Sequence, residues 1–128
     1  MSFSGKFELE KSEGMEEFMA AIGFQDLIKK ADEGKTQFEI QENGDDYCLT
    51  TRRGETVLNN SFTIGQDTEL KMLSGQRVKT VVHRDGQKLK AALSNITLTW
   101  EMLDENTLLI TLSTEDNIAY KRFSKRVA

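Results

Sequence analysis

Hydrophobic and polar residues alternate along most of this chain. Between residues 5 and 10, Phe7 and Leu9 alternate with charged residues, which is the period of a β-strand with one face toward water. After residue 35 the same alternation recurs in nine short segments, separated by turn sequences rich in Asn, Asp and Gly. Proline is absent from the chain. The pattern therefore predicts ten strands joined mostly by hairpins.

A different period interrupts the alternation between residues 15 and 34. Two sets of apolar residues recur there at intervals of three and four, the spacing of one helix face: Met15, Phe18, Met19 and Ile22, then Phe24, Leu27, Ile28 and Ala31. A glycine, Gly23 or Gly34, follows each set closely, where helices commonly end. This segment is predicted to be a short helix-turn-helix.

The ten predicted strands, joined mostly by hairpins, form one long meander. An open meander of this length would expose two edges, and closure into a barrel is the commonest way to remove them. The expected fold is all-β: a closed antiparallel barrel of ten strands, a β-clam, in a single domain over residues 1–128. Ten strands should enclose a cavity that side chains do not fill. The helix pair would then cap one mouth as a lid.

The last strand carries the residue on which the functional prediction depends. Tyr120, Arg122 and Ser124 share one face, and two lysines mark the other face as wet. A bare guanidinium inside the barrel costs on the order of several kcal/mol. The apolar faces of the other strands contain no Asp or Glu, so Arg122 is predicted to bind an anion, for which a carboxylate has the matching geometry. Periodicity alone leaves open the alternative that Phe123 faces inward and Arg122 lies on the surface.

Composition and charge narrow the possible functions. A net charge of −4 argues against a general nucleic-acid-binding protein. No apolar run reaches the length of a membrane span and the first residues lack the pattern of a secretory signal, so a cytoplasmic protein is expected. The single cysteine, Cys48, agrees with a reducing compartment. Cys48 and the single histidine, His83, are both predicted to face outward, away from the cavity. The protein is therefore not expected to be an enzyme, and no metal site or cofactor is expected.

Several segments resemble the intracellular lipid-binding protein family of the calycin superfamily, and together they extend over the whole chain. They are Ser2-Phe3-Ser4-Gly5-Lys6-Phe7, the helix pair at 15–34, Asn60-Ser61-Phe62-Thr63-Ile64-Gly65, residues 75–82 and residues 120–126. The ending Arg122-Phe123-Ser124 is similar to the branch that contains liver fatty-acid-binding protein and the ileal and liver bile-acid-binding proteins. The resemblance implies a helical portal, cytosolic carriage of fatty acids or bile salts, and a ligand headgroup near Arg122 and Ser124.

Three departures from the family pattern change this expectation. Trp100 stands where several fatty-acid-binding branches place a second cavity arginine, so headgroup capture is expected to rest on fewer contacts. Phe38 stands near the position of a ligand-contacting serine in the liver branch, and that role is not transferred to it. The acidic pI of about 5.1 also differs from the strongly basic members and weakens the case for membrane collision.

The predicted ligand-binding residues come from the inward strand faces, the apolar helix faces and the resemblance together. They are Arg122, Ser124, Tyr120, Trp100, Met102, Leu98, Ile110, Phe62, Leu49, Thr51, Phe38, Ile40, Leu70, Met72, Phe18, Met19, Ile22, Leu27 and Ile28. For Trp100 and the helix residues, packing in the core is the plainer alternative.

The predicted function is non-enzymatic carriage of long-chain fatty acids and related lipid anions by a cytosolic monomer. A bile-acid carrier of the same family is the first alternative. A peripheral membrane structural protein is the second, because a set of basic residues near the lid could meet anionic membranes, as a carrier also could transiently: Lys29, Lys30, Lys35, Arg52 and Arg53. Enzymatic turnover of a bound lipid is the third.

Overall fold

Alternating burial along each strand produces one continuous curved sheet with an apolar inner face. The computed structural model describes residues 3–22, 36–53, 56–71, 77–93 and 96–127. Its elements are β1 (Gly5–Glu13), α1 (Met15–Ile22), β2 (Thr36–Asn43), β3 (Asp46–Arg53), β4 (Thr56–Thr63), β5 (Asp67–Lys71), β6 (Arg77–Asp85), β7 (Lys88–Leu93), β8 (Ile96–Asp104), β9 (Thr107–Thr114) and β10 (Ala119–Arg126). The ten predicted strands and the first predicted helix are confirmed. The second predicted helix lies outside the described residues.

The strands follow one another around the sheet in the order β4-β3-β2-β1-β10-β9-β8-β7-β6-β5. Neighbours in this order are antiparallel, and all of the ladders except one join strands that are consecutive in the chain. The exception is β1 with β10, where Phe7 pairs with Arg126 and Leu9 pairs with Ser124. This pairing brings the two ends of the described chain together and bends the sheet into a nearly closed barrel.

Side chains join β4 and β5, the two strands at the ends of this order. The Lys71 backbone N–H donates to Oδ1 of Asn60 at 2.7 Å, and Nδ2 of Asn60 donates to the Lys71 carbonyl at 3.0 Å. The hydroxyl of Thr68 donates to the Ser61 carbonyl at 3.2 Å. The amide of Asn60 therefore occupies the place of one rung of a backbone ladder, and it holds the barrel shut at this seam.

Replacing Asn60 with alanine is expected to loosen the β4–β5 seam. The Lys71 amide would lose its acceptor, and its hydrogen exchange should accelerate roughly fivefold, since one such bond is worth about 1 kcal/mol. The control is Asn59→Ala, because Oδ1 of Asn59 accepts instead from the hydroxyl of Thr50 on β3 at 2.9 Å. Equal protection of the Lys71 amide in both variants, measured by NMR, would show that Asn60 does not hold the seam.

Arg126 fastens β10 to the start of the chain, at the end of the barrel opposite α1. Its guanidinium lies 4.8 Å from the ring centre of Phe7, which is fully buried. Its Nη1 donates to the Ser4 carbonyl, and its Nε donates to the Glu105 carbonyl at 2.9 Å. We call this set of contacts the Arg126 clasp. It ties three separate parts of the chain together at one side chain.

Gly14 joins β1 to α1 in a conformation that glycine alone adopts readily. Its φ is +77°, in the left-handed region. A Cβ built there would overlap the carbonyl oxygen of Ala119, so the backbone of this junction lies directly against the start of β10. The same packing brings the buried Phe18 of α1 within 6.0 Å, ring centre to ring centre, of Tyr120. This close approach seats α1 over one mouth of the barrel.

Within the residues that the structure describes, no helix is both long enough and apolar enough to span a membrane.

Candidate ligand-binding site

Arg122 lies inside the barrel, as the alternation in the last strand predicts. The residue is 8% exposed, and its guanidinium carbon lies 5.0 Å from the ring centre of Phe38 and 5.6 Å from that of Tyr120. Phe123 points to the other side of β10, where Nζ of Lys11 lies 4.8 Å from its ring centre. The alternative orientation, with Phe123 inward and Arg122 on the surface, is therefore wrong.

Few other polar residues are buried with Arg122 in the described part of the chain. In the described part of the chain the buried polar or charged residues are Thr36, Arg122 and Ser124, and no Asp or Glu is among them. The negative faces of the two rings that bracket the guanidinium offset part of the cost of removing it from water. A cation held in this way attracts an anion strongly, because the low dielectric of the interior screens it little.

Two buried hydroxyl groups accompany the guanidinium. Thr36 and Ser124 are both 0% exposed, and neither Oγ1 of Thr36 nor Oγ of Ser124 has a hydrogen-bond partner within the described residues. Buried hydroxyls without partners are uncommon, since each costs about 1–3 kcal/mol. Ser124 is among the residues predicted from the sequence, whereas Thr36 is not. The signal was present, because Thr36 has the same parity in β2 as the inward-facing Phe38 and Ile40.

Four aromatic side chains fill the end of the barrel opposite α1, and we call them the aromatic floor: Phe3, Tyr47, Phe62 and Trp100. The Phe62 ring stacks on Tyr47 at 5.3 Å and on Trp100 at 5.7 Å between centroids, and Phe3 meets Tyr47 edge-on at 6.3 Å. Phe62 lies on β4 and Trp100 on β8, so this contact crosses the interior from one wall to the other. The site is therefore bounded below by packed rings.

The structure brings most of the predicted ligand-binding residues onto one continuous inner surface. Those that are buried are Arg122, Ser124, Tyr120, Trp100, Met102, Leu98, Ile110, Phe62, Leu49, Phe38, Ile40, Leu70 and Phe18. Thr51 is partly buried and pairs with Phe38. Met19 and Ile22 belong to α1, whereas Met72, Leu27 and Ile28 lie outside the described residues. The ligand-binding role of all these residues remains a prediction.

Arg84, on the outside of the barrel, contacts Tyr47 of the aromatic floor. Nη2 of Arg84 donates to the Tyr47 hydroxyl at 3.1 Å, and Nη1 forms an ion pair with Oδ1 of Asp45 at 3.3 Å. Burial of the ring raises the pKa of the Tyr47 phenol above 10, while the hydrogen bond from Arg84 acts in the opposite direction. Tyr47 is therefore neutral at physiological pH and serves as a hydrogen-bond acceptor for Arg84.

This raised pKa predicts a loss of stability at high pH. The folded state holds the phenolic proton more tightly than the unfolded chain, so the contribution is complete below pH 10 and is lost as the pH rises above that value. In a Tyr120→Phe background, where Tyr47 is the sole tyrosine, near-ultraviolet absorbance should give a pKa above 10. Adding Arg84→Met should raise that pKa further, and a lower pKa would contradict the assigned role of the Arg84 hydrogen bond.

The described residues include no clustered metal-ligating side chains. No cluster of three or more His, Cys, Asp or Glu residues suited to a metal ion occurs among them. His83 is exposed on β6, as predicted. Cys48 is partly exposed and accepts a hydrogen bond from the Ser61 hydroxyl at 3.6 Å. The inner surface presents a cation, two hydroxyls and apolar walls.

Comparison with known proteins gives one consistent family. The model of the lipocalin / cytosolic fatty-acid binding protein family matches residues 1–128. The chain is 50% identical to fatty acid binding protein 1-B.1 of Danio rerio over 100% of both chains. It is 49% identical to the liver-type fatty acid-binding protein of Epinephelus coioides, over 99% of this chain and 100% of that protein.

Among solved structures, the chain is similar to zebrafish ileal bile acid-binding protein in complex with cholic acid. The TM-score is 0.83 at 32% sequence identity, over 98% of both chains. The family resemblance and the ten-stranded fold expected from the sequence are thus confirmed. The chain belongs to the lipocalin / cytosolic fatty-acid binding protein family.

Proposed function

We propose that this protein is a non-enzymatic carrier that binds a long-chain fatty acid, or a related amphipathic lipid anion, inside its barrel. The buried Arg122 guanidinium, close to the rings of Phe38 and Tyr120 and with no Asp or Glu among the described buried residues, is the observation that carries this proposal. An acyl carboxylate matches the guanidinium fork in charge and geometry. The relatives named as fatty-acid-binding proteins support the same ligand class.

In this proposal the walls of the barrel supply most of the binding free energy. The acyl tail lies against inward side chains such as Leu98 and Ile110, and each methylene removed from water contributes about 0.8 kcal/mol. The aromatic floor limits how deep the tail reaches. α1 covers the mouth next to Tyr120, so the ligand enters and leaves past this helix. The protein then carries the lipid unchanged between compartments or enzymes.

A bile salt is the second candidate ligand. The zebrafish relative holds cholic acid in the same fold, at 32% sequence identity. A bile salt also presents an anionic group on an apolar body, so the same guanidinium would serve it. The hydroxyls of Thr36 and Ser124 add polar contacts that a rigid, polar-edged steroid could use.

As further parts of this proposal, the protein is a cytosolic monomer and meets anionic membranes only transiently. Arg52 and Arg53 end β3 at the same end of the barrel as α1, where such a contact would form. Of the other basic residues considered for it, Lys29, Lys30 and Lys35 lie outside the described residues. The net charge of −4 opposes a persistent attachment to an anionic surface.

The direct test is titration of the delipidated protein with oleate and with cholate. Trp100 is the single tryptophan and lies on the aromatic floor, so its fluorescence should change saturably on binding. Organic extracts of the purified protein should contain an unmodified lipid anion, and incubation should leave it unmodified. Failure of both ligands to bind would contradict the carrier proposal. In vesicle co-sedimentation a carrier stays in the supernatant, whereas a structural membrane protein pellets.

A further inference from the structure

Thr36 is a buried polar residue whose hydroxyl is not satisfied by any described residue of the barrel. Its side chain is 0% exposed, and its hydroxyl, like that of Ser124, has no hydrogen-bond partner within the described residues. A valine in the same place would fill the same volume without this cost. Two such hydroxyls on one inner surface point to a ligand that satisfies both.

The register places these two hydroxyls on either side of Leu9. Leu9 pairs with Ser124 across the β1–β10 ladder, and Glu8 pairs with Gln37 across the β1–β2 ladder. One further step along β1 and β2 brings Thr36 beside Leu9. Thr36, Leu9 and Ser124 therefore form a row across three neighbouring strands, and all three face the interior.

Arg122 and Phe38 start on opposite sides of this row along their strands. Successive inward residues on a strand are roughly 6.6 Å apart, so Arg122 begins one step beyond Ser124 on the side of α1. Phe38 begins one step beyond Thr36 on the side of the aromatic floor. The guanidinium carbon nevertheless lies 5.0 Å from the Phe38 ring centre, so the two side chains together span the level of the two hydroxyls. The cation and both hydroxyls thus border the same part of the interior.

We propose that Thr36 donates a hydrogen bond to the ligand carboxylate, beside the contacts from Arg122 and Ser124 that the family resemblance already implies. This inference rests on the proposed carrier function and adds Thr36 to its headgroup site. A carboxylate has two oxygens and about four acceptor positions, enough for the guanidinium fork and two hydroxyls together. The ligand then supplies a partner to both buried hydroxyls, neither of which has one within the described residues.

The test compares Thr36→Val with a matched control, Thr50→Val. Thr50 faces outward on β3, where its hydroxyl donates to Asn59, so the same substitution there removes a satisfied surface hydrogen bond. Oleate and cholate serve as carboxylate probes, and Nile red serves as a neutral apolar probe. Thr36→Val should raise the Kd of oleate about tenfold, since a hydrogen bond to a charged group is lost. It should leave the Kd of Nile red and the stability of the empty protein unchanged or improved, and Thr50→Val should not change either Kd.

A role for Thr36 in packing alone would give a different result. Oleate and cholate affinities equal to wild type in Thr36→Val, while Arg122→Met weakens both, would overturn this inference and leave the carrier proposal intact. An equal loss for Nile red would also overturn it, because the effect would then be on cavity shape. If wild-type protein bound neither carboxylate, the carrier proposal and this inference would fall together. An effect on cholate alone would assign the Thr36 hydroxyl to the steroid instead of the carboxylate, against the inference.

Discussion

Gly14→Ala is expected to destabilise the protein by roughly 3 kcal/mol and to lower its Tm by about 10 °C. The new Cβ would meet the Ala119 carbonyl oxygen, a backbone atom that cannot move without displacing the start of β10. A φ of +77° also strains any residue with a side chain. The junction between β1 and α1 must therefore shift, and Phe18 must lose part of its contact with Tyr120. Thermal and urea unfolding followed by circular dichroism would measure the effect.

Gly44→Ala provides the matched control. Gly44 has a similar φ of +65°, but no atom lies within 4 Å of the position that its Cβ would take. Only the backbone strain remains in this variant, on the order of 1 kcal/mol. Equal losses in the two variants would show that the Gly14 junction is not packed against Ala119. Because Gly14 also seats α1, its variant should in addition release bound lipid faster.

Arg122→Met is expected to weaken oleate binding about 10- to 100-fold and to stabilise the empty protein. Methionine keeps much of the apolar stem but removes the charge, and a charge-assisted hydrogen bond contributes about 1.5–3 kcal/mol. Replacement of a buried charge by an apolar side chain of similar size is often neutral or stabilising. Affinity and stability should therefore move in opposite directions, a result that a purely structural arginine would not give. Isothermal titration and urea unfolding measure the two quantities.

Arg77→Met is the control for this substitution. Arg77 lies exposed on the outer face of β6, where its Nη1 is 3.5 Å from Oε1 of Glu69. Loss of this surface pair should change neither affinity nor stability appreciably. Oleate binding that survives Arg122→Met at full strength, or a large loss in Arg77→Met, would place the headgroup elsewhere. Nile red should bind both variants as it binds wild type.

The strands could be predicted from the sequence because each follows a local rule, and the errors occur where that rule breaks. β1 was expected from residue 5 to residue 10 but continues to Glu13. Between Leu9 and Lys11 the β1–β10 register shifts, so Glu10 is an extra residue and the inward parity moves to Ser12. The strict alternation of inward and outward residues breaks at such a bulge, so a prediction based on alternation stops there. The pairing of β1 with β10 continues beyond it.

The position of Arg122 followed from parity, whereas the site around it depends on contacts between distant strands. Alternation places Phe62 and Trp100 on inner faces, yet only the diameter and twist of the closed barrel bring their rings together. Asn60 has no special local pattern, and its role at the seam comes from the position of Lys71 across the barrel. Thr36 was missed because a threonine at the first position of a strand resembles a turn residue as much as a lining residue.

The pairing of β1 with β10 has a consequence for how the chain folds. Every other ladder closes a short loop, but Phe7 and Arg126 are separated by nearly the whole chain, and entropy opposes loop closure more as loops lengthen. Hairpins should therefore form early, and the two halves should meet last. Interactions made after the transition state slow unfolding without speeding folding. The Arg126 clasp is thus expected to slow unfolding, and so to lengthen the lifetime of the native state, without changing the folding rate.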